Sequence, residues 1–146
     1  MAAAIEVAKY IIKNLPVDNL KLQKLLYYSQ AVHLVMRDKK PLFGEAIEAW
    51  DYGPVVPPVY REYKHHGFEI LPPAEGQTTL SFDEIRAVDM TLDCFGGLTG
   101  PALINQTHHE DPWKNAYRSG RPSEIITVES IFEYFKECLD FSDEEA

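Results

Sequence analysis

The side chains best suited to acid–base or metal chemistry lie in one short stretch, His108, His109, Glu110 and Asp111. A separate histidine pair, His65 and His66, lies earlier in the chain. Imidazole and carboxylate groups can bind zinc or act as general bases. However, neighbouring helical histidines point about 100° apart, and the stretch lacks the H-E-x-x-H spacing that places two ligands on one helix face. We therefore predict structural or surface roles at a helix C-terminus. We assign no catalytic residue, no metal ligand and no cofactor.

The residues from Glu48 to Pro57, EAWDYGPVVP, form an aromatic corner. Trp50 and Tyr52 precede a Gly53-Pro54 break, and in an extended segment these two aromatic side chains would share one face. Trp and Tyr combine apolar area with a polar group and are frequent binding hot spots. The prolines lower the entropy cost of holding a loop in place. The corner is therefore either a binding surface or a rigid turn that packs on the core.

A third stretch, KLQKLLYY from Lys21 to Tyr28, combines basic, aliphatic and aromatic residues. Its leucines have core spacing. Tyr27 and Tyr28 point to different faces of a helix, so we expect at least one of them to reach a surface or groove. Lys21 and Lys24 sit at the start of the helix, against the preference of the helix dipole, so another interaction must favour them there.

Hydrophobic periodicity places these stretches in a mainly α fold. We predict a single compact multi-helix domain over residues 1–146, built around a buried central helix at about 19–37, with a small short-stranded β element and a frayed acidic tail at 142–146. Helices are predicted at 3–15, 19–37, 57–66, 81–95 and 99–109, from 112 and from 128, and short strands at 45–51 and 124–127. Asp18 or Asn19, Ser81 with Glu84, and Thr127 are predicted N-terminal caps.

Charge excludes some function classes. The chain has a net charge of -9; residues 1–64 carry nine Lys/Arg and seven Asp/Glu, and residues 65–146 carry five and sixteen. An acidic surface repels nucleic-acid phosphate and favours a cationic partner.

The longest uncharged apolar stretch, Leu25 to Met36, is too short to span a membrane. Cys94 and Cys138 show no metal-ligand spacing, and we expect them to be buried, reduced thiols.

Taken together, the motifs resemble the Panacea-domain family, the SocA-like or GepA-like phage-associated proteins of bacteria. The resemblance runs from residue 5 to about 118. It rests on Lys21–Tyr28, Glu48-Ala49-Trp50, Tyr52-Gly53-Pro54-Val55-Val56, Tyr60, His108 and Pro112-Trp113. It implies a cytoplasmic, non-enzymatic antitoxin that neutralises a protein toxin encoded beside it.

On this interpretation, two groups of residues matter. The expected partner-binding residues are Tyr28, Trp50, Tyr52, Pro54, Tyr60 and Trp113. The expected structural residues of the motifs are Lys21, Leu22, Lys24, Leu25, Tyr27, Glu48, Gly53, Val55, His108 and Pro112. The acidic second half would steer a toxin with a basic surface.

Three alternatives remain open at this stage. The protein could act as an adaptor that delivers the toxin to a protease, which requires the same toxin contact and a second surface. It could be a metal-dependent hydrolase that uses His108, His109, Glu110 and Asp111. It could also be a DNA-binding regulator, although the net charge opposes nucleic-acid binding by this chain alone.

Overall fold

The computed structural model describes residues 1–121 and 123–139, which form seven α-helices, one 3-10 helix and three short strands. The elements are α1 Ala4–Asn14, α2 Asn19–Met36, β1 Ile47–Trp50, β2 Gly53–Val55, α3 Pro57–Tyr63, the 3-10 helix Lys64–His66, α4 Phe82–Phe95, α5 Gly100–His108, α6 Asp111–Ala116, β3 Ile125–Ile126 and α7 Val128–Cys138. The predicted mainly helical fold with a small β element is confirmed. The predicted tail at 142–146 lies outside the described residues.

The central helix α2 organises the core. Fourteen of its eighteen residues are buried, because α1, α4, α5, α7 and β2 all pack against it. A helix surrounded in this way needs apolar or internally paired side chains on every face. In residues 1–121 and 123–139, no helix is long and apolar enough to cross a membrane.

The helix starts follow the local sequence signals. The Asp18 carboxylate accepts a hydrogen bond from the Lys21 backbone N–H at 2.8 Å and begins α2. Ser81 and Glu84 form a reciprocal capping box at the start of α4. The Thr127 hydroxyl caps α7. Each cap satisfies backbone donors that have no partner within the helix, and all three predicted caps are confirmed.

The β element of the described residues has one more strand than predicted. The predicted strand at 45–51 is present as β1, but the predicted break at Gly53-Pro54 is a second strand, β2. The two strands pair antiparallel, with Trp50 opposite Gly53, and β1 also pairs with β3. The strand order is β2-β1-β3, so β2 is an edge strand. Asp51 and Tyr52 therefore form the two-residue loop of a hairpin, and Tyr52 does not continue the extended face of Trp50.

The predicted burial of the two cysteines is wrong. Cys94 lies near the end of α4 and Cys138 ends α7, and both are exposed. The two helices are amphipathic, and their buried faces are made by other side chains, such as Val88 of α4 and Phe135 of α7. The cysteines therefore fall on the solvent sides of their helices.

Candidate functional site

The hairpin lies unusually close to the central helix at Gly53. This residue has φ +103°, and a Cβ atom added to it would lie 2.8 Å from both Lys24 Cε and Thr107 Oγ1. An L side chain is strained at this φ and has no space here. Glycine therefore lets the hairpin backbone rest directly on α2 and α5.

Polar side chains of α2 close the free edge of β2. Lys24 Nζ donates to the Pro54 carbonyl at 3.1 Å, and Gln23 Oε1 accepts from the Val56 N–H at 2.9 Å. Gln23 is held in turn by Asn19, whose side chain also donates to the Tyr60 carbonyl at 3.1 Å. An edge strand normally presents unpaired backbone groups. Here buried side chains of the helix take the place of a neighbouring strand.

Lys24 is an unusual member of this arrangement because its side chain is fully buried. Burial disfavours the ammonium ion and lowers the pKa of Lys24 to about 7, an effect that the nearby Asp18 carboxylate partly opposes. Lys21, three residues earlier, instead donates to the Gly96 carbonyl at the end of α4, at 2.7 Å. These two carbonyl contacts explain why lysines are favoured at the start of α2.

Residues of α5, of α6 and of the position directly after α6 also hold the hairpin. His108 Nε2 donates to the Asp51 carbonyl at 3.0 Å, and Trp113 Nε1 donates to the Trp50 carbonyl at 2.8 Å. The Tyr117 hydroxyl donates to the Asp51 carboxylate. The rings of His108, Trp113 and Tyr117 form a continuous stack, with centroid separations of 4.1 and 4.5 Å. Burial lowers the pKa of His108, which favours the neutral ring as the donor to this carbonyl.

Between the hairpin, α2 and the segment after α3 lies a groove of about 510 Å³, which we call the hairpin groove. Its lining residues are Asn19, Leu20, Gln23, Lys24, Trp50, Asp51, Tyr52, Val55, Tyr60, Lys64, Gly67, Phe68 and Ile104. Trp50 meets Tyr60 edge-on, with their ring centroids 4.9 Å apart. Tyr52 and Phe68 are 68% and 84% exposed, so large aromatic surfaces stand in solvent at its rim.

A second polar cluster, the Glu110 cluster, is enclosed in the core. Glu110 accepts hydrogen bonds from the hydroxyls of Tyr27 at 3.1 Å and Tyr28 at 3.0 Å, and Gln106 donates to the Tyr28 hydroxyl at 3.0 Å. The Tyr28 ring stacks on Phe95 with centroids 4.1 Å apart. Burial raises the pKa of Glu110 to about 7, although the two tyrosine hydroxyls oppose this shift.

The expected partner-binding residues divide between surface and interior. Trp50, Tyr52 and Tyr60 line the hairpin groove. Trp113 is half-buried beneath the hairpin, and Pro54 is buried in β2. The structure contradicts the expectation that Tyr28 contacts a partner, because its side chain is fully buried and its hydroxyl is bonded to Glu110.

The expected structural residues occupy the interior and the base of the hairpin. Leu22, Leu25 and Tyr27 are fully buried in the core. Glu48 accepts from Trp50 Nε1 at 2.9 Å and so orients the indole ring. Pro112 is buried at the first turn of α6, and Val55 is buried in β2.

Sequence reasoning missed part of the groove. Its lining also includes Leu20, Lys64, Gly67, Phe68 and Ile104, and Tyr117 completes the ring stack. One sequence signal could have indicated this part of the groove. Phe68 is a large aromatic residue that directly follows Gly67, in a segment with no apolar periodicity.

The histidine and carboxylate stretch does not converge on one point. His109 Nδ1 donates to the Asn105 carbonyl at 2.8 Å, His108 points to the hairpin, and Glu110 points into the core. Among the described residues, no three His, Cys, Asp or Glu side chains are placed to hold a metal ion. His108, His109 and Glu110 therefore face three different parts of the structure.

Fold and site thus describe a small helical domain in which a buried central helix and a later helical pair clamp a β-hairpin beside an aromatic groove. Residues 22–114 match the family described as Antitoxin SocA-like, Panacea domain, and the chain belongs to this family. The family expected from the motifs is therefore confirmed.

Antitoxin SocA of Caulobacter vibrioides (strain NA1000 / CB15N) is a relative of this chain, with 44% identity over 54 residues. The matched segment covers 37% of this chain and 28% of that protein. No solved structure matches this chain.

Proposed function

We propose that this protein neutralises a protein toxin by binding it directly through the hairpin groove. Membership of an antitoxin family supports a role of this type without catalysis. The observation that carries the groove assignment is the pair of aromatic rings, Tyr52 and Phe68, that stand exposed above a floor built from the family's own motif residues. Exposed aromatic clusters of this kind are typical of protein–protein contact sites.

The groove is suited to binding because its walls are already ordered. The hairpin is fixed by backbone pairing, by the α2 side chains at its edge and by the ring stack on its other side. A partner that docks here would not have to order a loop, and a smaller entropy loss gives a higher affinity for the same contact area.

Charge would act at longer range. The excess of acidic residues in 65–146 would attract a toxin with a basic surface, and exposed charges are screened within about 8 Å at physiological salt. Raising the salt concentration should slow toxin association and leave dissociation nearly unchanged. An association rate that does not respond to salt would remove this steering from the mechanism.

Direct occlusion and delivery to a protease both require this toxin contact. The half-life of the toxin, measured in cells with and without this protein, distinguishes them. An unchanged half-life with full neutralisation supports occlusion, whereas a shortened half-life supports the adaptor role.

The test of the groove itself is Tyr52→Ala. Because Tyr52 is a hairpin-loop residue that is mostly exposed, we expect its truncation to change the free energy of unfolding by no more than about 0.5 kcal/mol. Toxin binding should weaken by about 2 kcal/mol, or roughly 30-fold. Phe82→Ala is the matched control, since Phe82 is 75% exposed and lies outside the groove. A folded Tyr52→Ala protein that binds its toxin as tightly as Phe82→Ala would refute the assignment.

A further inference from the structure

The turn between α5 and α6 holds the hairpin at two successive backbone carbonyl groups. We call residues 108–113 the α5–α6 elbow, since they contain the end of α5 and the start of α6. From this elbow, His108 Nε2 donates to the Asp51 carbonyl at 3.0 Å, and Trp113 Nε1 donates to the Trp50 carbonyl at 2.8 Å. Two hydrogen bonds to successive carbonyls fix both the position and the direction of the chain, so the hairpin loop follows the elbow.

The elbow is itself attached to the central helix by the Glu110 carboxylate. Its Oε1 accepts from the Tyr27 hydroxyl at 3.1 Å, and its Oε2 accepts from the Tyr28 hydroxyl at 3.0 Å. Both tyrosine side chains are fully buried in α2. Because each carboxylate oxygen has its own donor, the two bonds fix the orientation of the carboxylate as well as its position.

The backbone of Glu110 links the two ends of the elbow. Its N–H donates to the Thr107 carbonyl of α5 at 3.1 Å, and its carbonyl accepts from the Lys114 N–H of α6 at 3.0 Å. A shift of Glu110 therefore moves the last turn of α5 and the first turn of α6 together. These two turns carry His108 and Trp113, the two side chains that hold the hairpin.

A carboxyl group at this position has a cost that packing alone does not explain. Glu110 is 6% exposed, and a buried ionisable group lowers stability relative to an apolar side chain of similar size. Burial raises its pKa to about 7, which reflects this cost. A carboxylate adds direction, because it accepts hydrogen bonds only from donors placed at particular angles. The Glu110 cluster is therefore suited to fixing the position of the segment that carries it.

We infer that Glu110 is a positioning residue for the toxin contact: its hydrogen bonds to α2 set where the α5–α6 elbow lies, and the elbow sets where Tyr52 stands. This inference rests on the proposed function, in which Tyr52 meets the toxin. Glu110 is not among the described residues that line the hairpin groove, so it acts through His108 and Trp113. Each of its two hydrogen bonds reaches α2, so removing one tyrosine hydroxyl leaves the elbow attached by the other.

The indole N–H groups provide a direct probe of how the hairpin is held. The chain has two tryptophans, so an NMR spectrum of the free protein contains two indole N–H signals, which Trp50→Phe assigns. Trp113 donates from the elbow to the Trp50 carbonyl, whereas Trp50 donates to the Glu48 carboxylate within the same strand at 2.9 Å. Loosening the elbow should expose the Trp113 N–H to exchange with water and leave the Trp50 N–H as an internal reference.

The test compares three variants of the whole protein. Glu110→Met keeps the length of the side chain without an acceptor, whereas Glu110→Gln keeps a side-chain oxygen that can accept from a tyrosine hydroxyl. Val88→Ala is the control for a general loss of stability, because Val88 is fully buried in α4 and is not part of the elbow. We expect exchange of the Trp113 N–H, relative to that of Trp50, to be about tenfold faster in Glu110→Met and unchanged in the other two variants.

The pH dependence of the Trp113 signal keeps the inference testable even if Glu110→Met does not fold. The titratable groups around Glu110 come from α2, α7 and its own segment, and they are Tyr27, Tyr28, Tyr134, Cys138, His108, His109 and Asp111. Burial raises the pKa of Glu110 to about 7 and raises the pKa of all three tyrosines, whereas it lowers the pKa of His108 from 6.5. The chemical shift of the Trp113 N–H should therefore change with a midpoint near pH 7. Glu110→Gln should abolish this change and retain the titration of His108 at lower pH.

Toxin binding connects the position of the elbow with the proposed function. Folded Glu110→Met should bind the toxin of the Tyr52→Ala test at least about fivefold more weakly than Glu110→Gln, because its hairpin loop is no longer held in place before binding.

Three results would each overturn the inference: equal relative exchange in Glu110→Met and Val88→Ala, a pH midpoint that Glu110→Gln does not change, or equal toxin binding by Glu110→Met and Glu110→Gln. The proposed function would stand in each case if Tyr52→Ala still weakens toxin binding. Conversely, normal toxin binding by Tyr52→Ala would refute the proposed function. Selectively faster exchange at Trp113 in Glu110→Met would then still show that Glu110 holds the hairpin in place.

Discussion

Lys24 and Glu110 are both buried ionisable groups set against α2, yet their surroundings differ. Glu110 is buried and accepts hydrogen bonds from the Tyr27 and Tyr28 hydroxyls, and the Tyr28 ring in turn stacks on Phe95. Lys24 donates to the Pro54 carbonyl, and its side chain has no solvent-accessible surface although it borders the hairpin groove. The KLQKLLYY stretch therefore contributes to two different structures. Gln23 and Lys24 support the edge of the hairpin, whereas Tyr27 and Tyr28 complete the core.

The two groups also respond to pH in opposite ways. The pKa of Glu110 is raised from 4.5 to about 7, so the folded protein keeps a proton that the unfolded chain loses, and stability falls as the pH rises through this range. The pKa of Lys24 is lowered from 10.5 to about 7, so the unfolded chain holds the extra proton above pH 7 and stability rises from there toward pH 10.5. Their combined contribution is lowest near pH 7.

We expect Tyr28→Ala to cause the largest loss in the free energy of unfolding. Truncating this fully buried ring removes its stacking on Phe95 and leaves Glu110 without one of its donors, so we expect a loss of about 3–5 kcal/mol in the free energy of unfolding. Urea denaturation measures this loss. Tyr28→Phe, which removes only the hydroxyl, should cost about 1–3 kcal/mol.

Toxin binding provides the contrast for these core variants. Molecules of Tyr28→Phe that are folded should bind the toxin with the affinity of the unmodified protein, because the hydroxyl lies in the interior. If Tyr28→Ala were as stable as the unmodified protein but no longer bound the toxin, Tyr28 would belong to the binding surface. The assignment of Tyr28 to the core would then be wrong.

A smaller effect is expected for Glu110→Gln. This substitution keeps a side-chain oxygen that can accept from a tyrosine hydroxyl, and it removes the titratable carboxyl group. Between pH 4.5 and pH 7 the unmodified protein should lose on the order of 3 kcal/mol through this group, and the variant should lose little. Melting temperatures measured across this range give the comparison. Glu137→Gln, at an exposed position of α7, is the matched control and should retain the dependence of the unmodified protein. A variant curve parallel to the control curve would show that the pKa of Glu110 is not raised in the folded protein.

Most of the helical framework could be predicted from the sequence because the relevant signals are local. The apolar periodicity of α2 and the caps at Asp18, Ser81 and Thr127 depend on residues within a few positions of one another. The hairpin was missed because Gly53-Pro54 is typical of a break. The hairpin also packs closely against Lys24 and Thr107, which are far away in the sequence.

The site could be predicted only in part for the same reason. Trp50, Tyr52 and Tyr60 belong to the sequence motifs and could be predicted, whereas Phe68 and Ile104 join the groove only through tertiary packing. Tyr28 was placed at a surface because helical geometry separates it from Tyr27. The structure buries both of them, since α4, α5 and α7 enclose this part of α2 on more than one side.

Hydrogen–deuterium exchange of the protein with and without its bound toxin locates the toxin contact on the unmodified protein, without any substitution. We expect slower exchange on binding at the groove rim, at the backbone amides of Asp51, Tyr52, Gly67 and Phe68. Exchange at Phe82 and Ile125, which are exposed and lie outside the groove, should not change. Protection confined to α4 or α7, with none at the hairpin loop or around Phe68, would contradict the assignment of the hairpin groove as the toxin-binding site.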